Sequence, residues 1–110
     1  MLEPCLLGLL AHGEAYGYQL STRLATLGIG PVPGGSLYPA LLRLEKRGLL
    51  DAQWRAGDGG PGRKYYVLTT EGRRALGRQA AAWDTFAQAV SSVLQSGTSA
   101  VTGDRAPVRR

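Results

Sequence analysis

Ser36, Arg43 and Lys46 are spaced so that a helix would carry a hydroxyl and two cations on one side, and Arg63 and Lys64 set two further cations side by side. Such a set suits the recognition of anions: hydroxyls reach phosphate, and cations reach phosphate or guanine edges. The chain offers little for catalysis. His12 is its single histidine, and Asp51, Asp58, Asp84 and Asp104 are scattered over surface-like positions, so no triad or dyad assembles. Cys5 is the single cysteine, which excludes an intrachain disulfide and, with one histidine, a zinc cage within one chain. It reads as a small residue packed in a first helix, with redox sensing as the alternative. The stretch GDGGPGRK superficially looks like a phosphate-binding loop. Its lysine does not directly follow the last glycine, no Ser or Thr comes after it, and a strand rather than a helix follows. The expectation is a chain that is no enzyme and needs neither cofactor nor metal.

The bulk composition agrees with an anionic partner. A formal net charge of +5 favours polyanions, and because Lys46 and Lys64 are the only lysines the positive charge is nearly all arginine, which suits bidentate phosphate or base contacts. A length of 110 residues with 44% hydrophobic and 19% charged fits one small globular domain with a single core. The opening MLEPCLLGLLAHG has Glu3 where a secretory leader would be basic, and its apolar run is too short to span a membrane, so a cytoplasmic chain is expected.

The elements that must position these groups follow from periodicity. Glu3 to about His12 reads as a short core helix, with Pro4 tolerated in its first turn and Gly13 ending it. In AYGYQLSTRLATLG, Tyr16, Leu20, Leu24 and Leu27 form one helical stripe, Tyr18 and Thr22 point away, and Gly28 stops the helix. IGPVPGG forces a turn, and GGSLYPALLRLEKRGLL follows as a third helix. There Leu37, Leu41, Leu44 and Gly48 share the inner side, while Ser36, Pro39, Arg43 and Lys46 face out. With Ser36 as its cap, Pro39 falls in the first turn and costs little. With a start at Gly34 or Gly35, Pro39 forgoes one helical bond.

The period then changes from helical to two. Leu50, Ala52, Trp54 and Ala56 alternate with Asp51, Gln53 and Arg55 as in a half-buried strand, RKYYVLT is the return strand, and Gly57 to Gly62 turn between them. Tyr65 and Tyr66 point to opposite faces, so one of them belongs to the core. Thr69 caps a long helix expected to run to about Gln95. On it Leu76, Ala80, Trp83, Ala87, Val90 and Leu94 advance by alternating steps of four and three, the spacing of a coiled-coil seam, and Phe86 and Val93 widen the stripe. The closing GTSAVTGDRAPVRR lacks apolar periodicity and is expected to be a disordered tail. The expected fold class is thus mainly α (α+β): a winged helix-turn-helix of three helices and a β-hairpin wing over residues 1–69, a C-terminal dimerisation helix over 70–96, and a tail over 97–110.

Three pieces, AYGYQL (Ala15 to Leu20), GSLYPALLRLEKRGLL (Gly35 to Leu50) and GRKYYVLTTEG (Gly62 to Gly72), stand in an order and at a spacing that resemble the PadR family of bacterial transcriptional regulators. With the long terminal helix, the resemblance covers nearly all of residues 1–95. It implies a homodimeric repressor in the bacterial cytoplasm, associated with the nucleoid, whose third helices enter major grooves of a palindromic double-stranded DNA operator while the wing contacts backbone or minor groove. It also implies that Tyr18 and Tyr38 contact phosphate, with Arg63 and Lys64 as wing cations. Pro33 departs from the family pattern, standing where many members have a serine or similar cap. Trp83 has two readings, an aromatic of the dimer core or, with Phe86, part of a gap for a flat aromatic effector. Competing functional classes are a protein-interaction module and a drug-sequestering protein, each on the same scaffold without DNA readout.

Overall fold

A computed structural model of the chain describes residues 2–57 and 60–102. In chain order the elements are α1 (Leu2–Leu10), β1 (Ala15–Tyr16), α2 (Gly17–Thr26), α3 (Gly34–Lys46), β2 (Leu50–Gly57), β3 (Gly60–Leu68) and α4 (Thr70–Thr102). The expected winged helix-turn-helix with a long C-terminal helix is therefore present. Leucine at helical spacing builds its core: Leu6, Leu7 and Leu10 of α1, Leu20 and Leu24 of α2, and Leu37, Leu41 and Leu44 of α3 are all buried. The hairpin closes this core from one side with Leu50, Tyr66 and Leu68.

The sheet has three strands in the order β1-β3-β2. Its third strand corrects the expectation for Tyr16, which lies in β1 opposite Tyr65, with Ala15 opposite Tyr66. Sheet pairing outcompetes one more helical turn there, because the rings of Tyr16 and Tyr65 also meet edge to face at a centroid distance of 5.3 Å. Helix α2 consequently begins at Gly17, and the Gln19 Oε1 accepts a hydrogen bond of 3.1 Å from the Tyr16 amide. At its other end Leu27 is the C-cap and exposed, so the buried stripe ends at Leu24.

Helix α3 starts at Gly34 with Pro33 as its N-cap. Ser36 does not cap it: the Ser36 and Leu37 amides both donate to the Pro33 carbonyl at 2.9 Å. Pro39 is then an interior residue without a donor for the Gly35 carbonyl one turn earlier. The helix ends in a Schellman arrangement, in which Gly48 (φ 76°) donates to Glu45 and Leu49 donates to Leu44. Thr69 ties this end to the next helix as expected of a cap. Its hydroxyl donates to the Gly48 carbonyl at 2.7 Å and accepts from the Gly72 amide at 2.9 Å.

Strands β2 and β3 pair from Leu50↔Leu68 to Gly57↔Gly60, with an irregularity between Arg55 and Gly57. They thus reach further into the glycine-rich segment than expected, while Asp58 lies outside the described residues. The burial alternation expected for β2 fades along it, since Leu50 is buried but Trp54 is 72% exposed. The outer half of the hairpin extends past the core, and the period-two pattern continues where none of the described residues buries it.

Two compact units divide between Arg78 and Gln79, later in the chain than the division expected after Thr69. The first turns of α4 belong to the winged helix because Gly72 and Ala75 are buried there and Leu76 packs on its core. In the second unit the helix continues through Thr102, which corrects the expectation of a stop near Gln95 and of a disordered tail from Gly97. Ser96 and Gly97 lower helix propensity without abolishing it, and no proline interrupts the run before Pro107. Residues 103–110, including Asp104, lie outside the described residues. No helix among the described residues is long and apolar enough to cross a membrane.

Candidate nucleic-acid interface

Helix α3 presents the outer face read from its sequence: Ser36, Pro39, Arg43 and Lys46 are all exposed, opposite buried Leu37, Leu41 and Leu44. Arg43 is not a loose cation. Its Nε donates to Glu3 Oε2 of α1 at 2.9 Å, and Arg47 donates to the other oxygen of the same carboxylate at 3.2 Å. This contact orients the guanidinium while leaving its terminal nitrogens to reach a planar pair of acceptors. Exposed ion pairs contribute little stability, so the effect of Glu3 is chiefly positional. Lys46 is exposed and takes part in none of the ion pairs among the described residues.

Tyr38 lies between helices. A β-carbon built on Gly17 would come within 2.5 Å of the Tyr38 ring and 2.7 Å of its hydroxyl oxygen, so the ring rests on the bare start of α2. About half of Tyr38 stays exposed, and Tyr18 beside it is 72% exposed. Both tyrosines line a groove of about 470 Å³ together with Tyr16, Trp54, Arg63 and Lys64. Hydroxyl, aromatic and cationic groups thus converge between the starts of α2 and α3 and the wing.

The two wing cations part company. Arg63 stacks over the Tyr16 ring at 4.6 Å, whereas Lys64 is half-buried on the other face, with its Nζ 3.0 Å from Glu45 Oε1 of α3. The pairing with Glu45 holds the Lys64 ammonium above its ordinary value against the opposing effect of burial. Tyr66 is the inward one of the two adjacent tyrosines, and burial raises its phenol above the ordinary value. Lys64 therefore fastens the wing to α3, and Arg63 is the more available cation.

Sequence reasoning did not single out Trp54, Arg47, Arg55 or the carboxylates Glu3, Glu14 and Glu45. Arg55 forms a bidentate pair with Glu14 and lies over the Tyr65 ring at 4.9 Å. The pairs made by Glu3 and Glu14 join residues about forty positions apart in the chain, a separation that no local periodicity reports. Only the pairing of Arg55 opposite Arg63 could have signalled that a nearby carboxylate was needed.

In the second unit, Trp83, Val90 and Leu94 are exposed or half-exposed, as are Phe86 and Val93 of the widened stripe. Ala80 is exposed and Ala87 partly covered. The Trp83 and Phe86 rings lie 5.9 Å apart at 49°. Leu76, the first seam residue, is instead used within its own chain, where its Cδ1 approaches Gly8.

Three helices, a β-hairpin and a polar, cationic outer face on the third helix define a winged helix-turn-helix transcriptional regulator. The chain belongs to the PadR-like family of transcriptional regulators, whose family model matches residues 6–78. It is 39% identical over 80 residues to the transcriptional regulator Rv3488 of Mycobacterium tuberculosis, covering 73% of each chain. Among solved structures it is similar to a PadR family regulator from Eggerthella lenta (TM-score 0.76, 39% identity, 84% of this chain and 80% of that one). It is also similar to a PadR-like regulator from Bacillus cereus (TM-score 0.75, 39% identity, 86% and 91%).

Proposed function

We propose that the chain acts as a homodimeric repressor that binds a palindromic operator in double-stranded DNA and is released by a small aromatic effector. The observation that carries this reading is the outer face of α3, where Ser36, Pro39, Arg43 and Lys46 are exposed beside a groove bearing Tyr18 and Tyr38. Arg43, held by Glu3, and the exposed Lys46 read base edges or phosphates, and the two tyrosine hydroxyls and Arg63 meet the backbone. Lys64 contributes to the field of this face from its place beside Glu45.

The dimer forms through Ala80, Trp83, Ala87, Val90 and Leu94, whose apolar surface is largely uncovered among the described residues. Trp83 and Phe86 offer the ring faces for a planar effector, with Ala80 and Ala87 leaving space beside them. An effector that favours one angle between paired terminal helices alters the separation of the two α3 helices, and DNA accepts separations near one helical turn.

Selection of bound duplexes from a random pool, followed by a salt series on the winner, tests this reading. A palindrome whose affinity falls steeply with salt is expected. An unenriched pool and a shallow salt slope would instead favour a protein-interaction or ligand-sequestering role.

A further inference from the structure

Trp54 stands out on the wing because it has the size and character of a core residue and a surface location. It pairs across the ladder with Lys64, on the hairpin face that carries Leu50, Tyr66 and Leu68 into the core nearer the base. At Trp54 that face has passed the core and overhangs the groove with Tyr18 and Tyr38. The indole is 72% exposed, and Gly62 on the neighbouring strand leaves its Cε3 about an ordinary contact away from where a β-carbon would be. The protein's own packing therefore gains little from this side chain, which lines the same groove as Tyr38 of α3.

We propose that Trp54 is a DNA-positioning residue that packs its ring against the deoxyriboses of the strand lying between the wing and α3. This rests on the DNA-binding reading above and adds to it a specific uncharged contact. A sugar–phosphate strand alternates anionic and apolar surface. The groove lining holds both kinds of group, Arg63 and the tyrosine hydroxyls for phosphate and Trp54 for the sugar carbons. Trp54 sits on the body of the hairpin rather than at its Gly57 and Gly60 end, a position for gripping a backbone rather than wedging into a base step. Sugar contacts carry no base information and release no counterions, so this residue contributes equally to every sequence and nothing to the salt dependence.

The test compares the full-length wild type with Trp54→Ala and Trp54→Phe, on the selected duplex and on a scrambled duplex of the same length, with circular dichroism confirming the fold. Trp54→Ala is expected to weaken binding to both duplexes by about tenfold with an unchanged salt slope, and Trp54→Phe to recover part of the loss. Indole fluorescence of the wild type is expected to change on titration with either duplex, and that change to be lost in Trp54→Phe, where Trp83 is the remaining indole. Binding by Trp54→Ala within twofold of wild type on both duplexes overturns the proposal, and so does a loss confined to the selected duplex, which would assign Trp54 to base readout. If the wild type binds neither duplex, the DNA-binding reading falls and the proposal with it. A wild type that binds normally while Trp54→Ala is unaffected sinks the proposal alone.

Discussion

A β-carbon on Gly72 would overlap the backbone carbonyl oxygen of Leu49, and one on Gly17 would overlap the Tyr38 ring. The two clashes differ in what can yield. Leu49 is held at both its carbonyl and its amide, to Thr69 and Leu44, whereas Tyr38 is half-exposed and can swing into solvent. Gly72→Ala is accordingly expected to destabilise the chain by about 2 kcal/mol or more, read as a lower denaturation midpoint. Gly17→Ala is expected to change that midpoint much less but to weaken DNA binding, because the displaced ring leaves the groove. Equal loss of stability in the two variants would contradict the packing described for Tyr38. Both glycines fall in or beside segments already singled out in the sequence, but their spacing cannot say which backbone or ring approaches them.

At the scale of elements, α3 carries a proline where a helix would otherwise make one more bond. Pro39 leaves the Gly35 carbonyl without its intrahelical donor, while removing Pro39 would also loosen the unfolded chain. Pro39→Ala is therefore expected to raise stability by a net of about 1–2 kcal/mol, visible as a higher melting temperature. A lower one would mean that Pro39 supports the packing of Tyr38. The wing is joined to α3 through Lys64 and Glu45, with Tyr66 buried behind them. Both Lys64 and Tyr66 titrate above their ordinary values of 10.5 and 10.0 in the folded chain. For groups shifted upward, the stabilisation is complete below the unfolded value and is lost as pH rises through the folded one. The melting temperature is thus expected to fall above about pH 10, and more shallowly in Tyr66→Phe than in the wild type, in scans monitored by circular dichroism.

For the whole molecule, the main open requirement is cover for the apolar residues of α4. Trp83, Phe86, Val90, Val93 and Leu94 are followed by Val101, which is 81% exposed. Since the helix runs through Thr102, the stripe extends one heptad beyond Leu94, and a surface beside it is lined by Val93, Leu94, Gly97 and Val101. An aligned apolar stripe on a small regulator is the pattern of a subunit contact. Leu94→Asp is expected to yield monomers in sedimentation equilibrium, and Val101→Asp to weaken association in the same direction. A stable dimer in both variants would place the contact elsewhere.

The sequence by itself determined the order of the four helices and the hairpin, the buried leucines of α2 and α3 up to Leu24 and Leu44, the outward set on α3, the Thr69 cap and the family. Each of these is written in local periodicity, local capping chemistry or contiguous motifs. Tertiary structure decided the rest. Tyr16 left the helix because a distant strand offered it partners, and Trp54 surfaced because the core ends before the hairpin does. Arg43 and Lys64 acquired carboxylates from other elements, and Leu76 turned to its own core. The start of α3 at Gly34 belongs with these, since Ser36 could cap by its chemistry and did not once Pro33 supplied the acceptor. The physical reason is the same throughout: side-chain pattern reports which face is apolar, whereas burial and pairing depend on what the fold brings to that face.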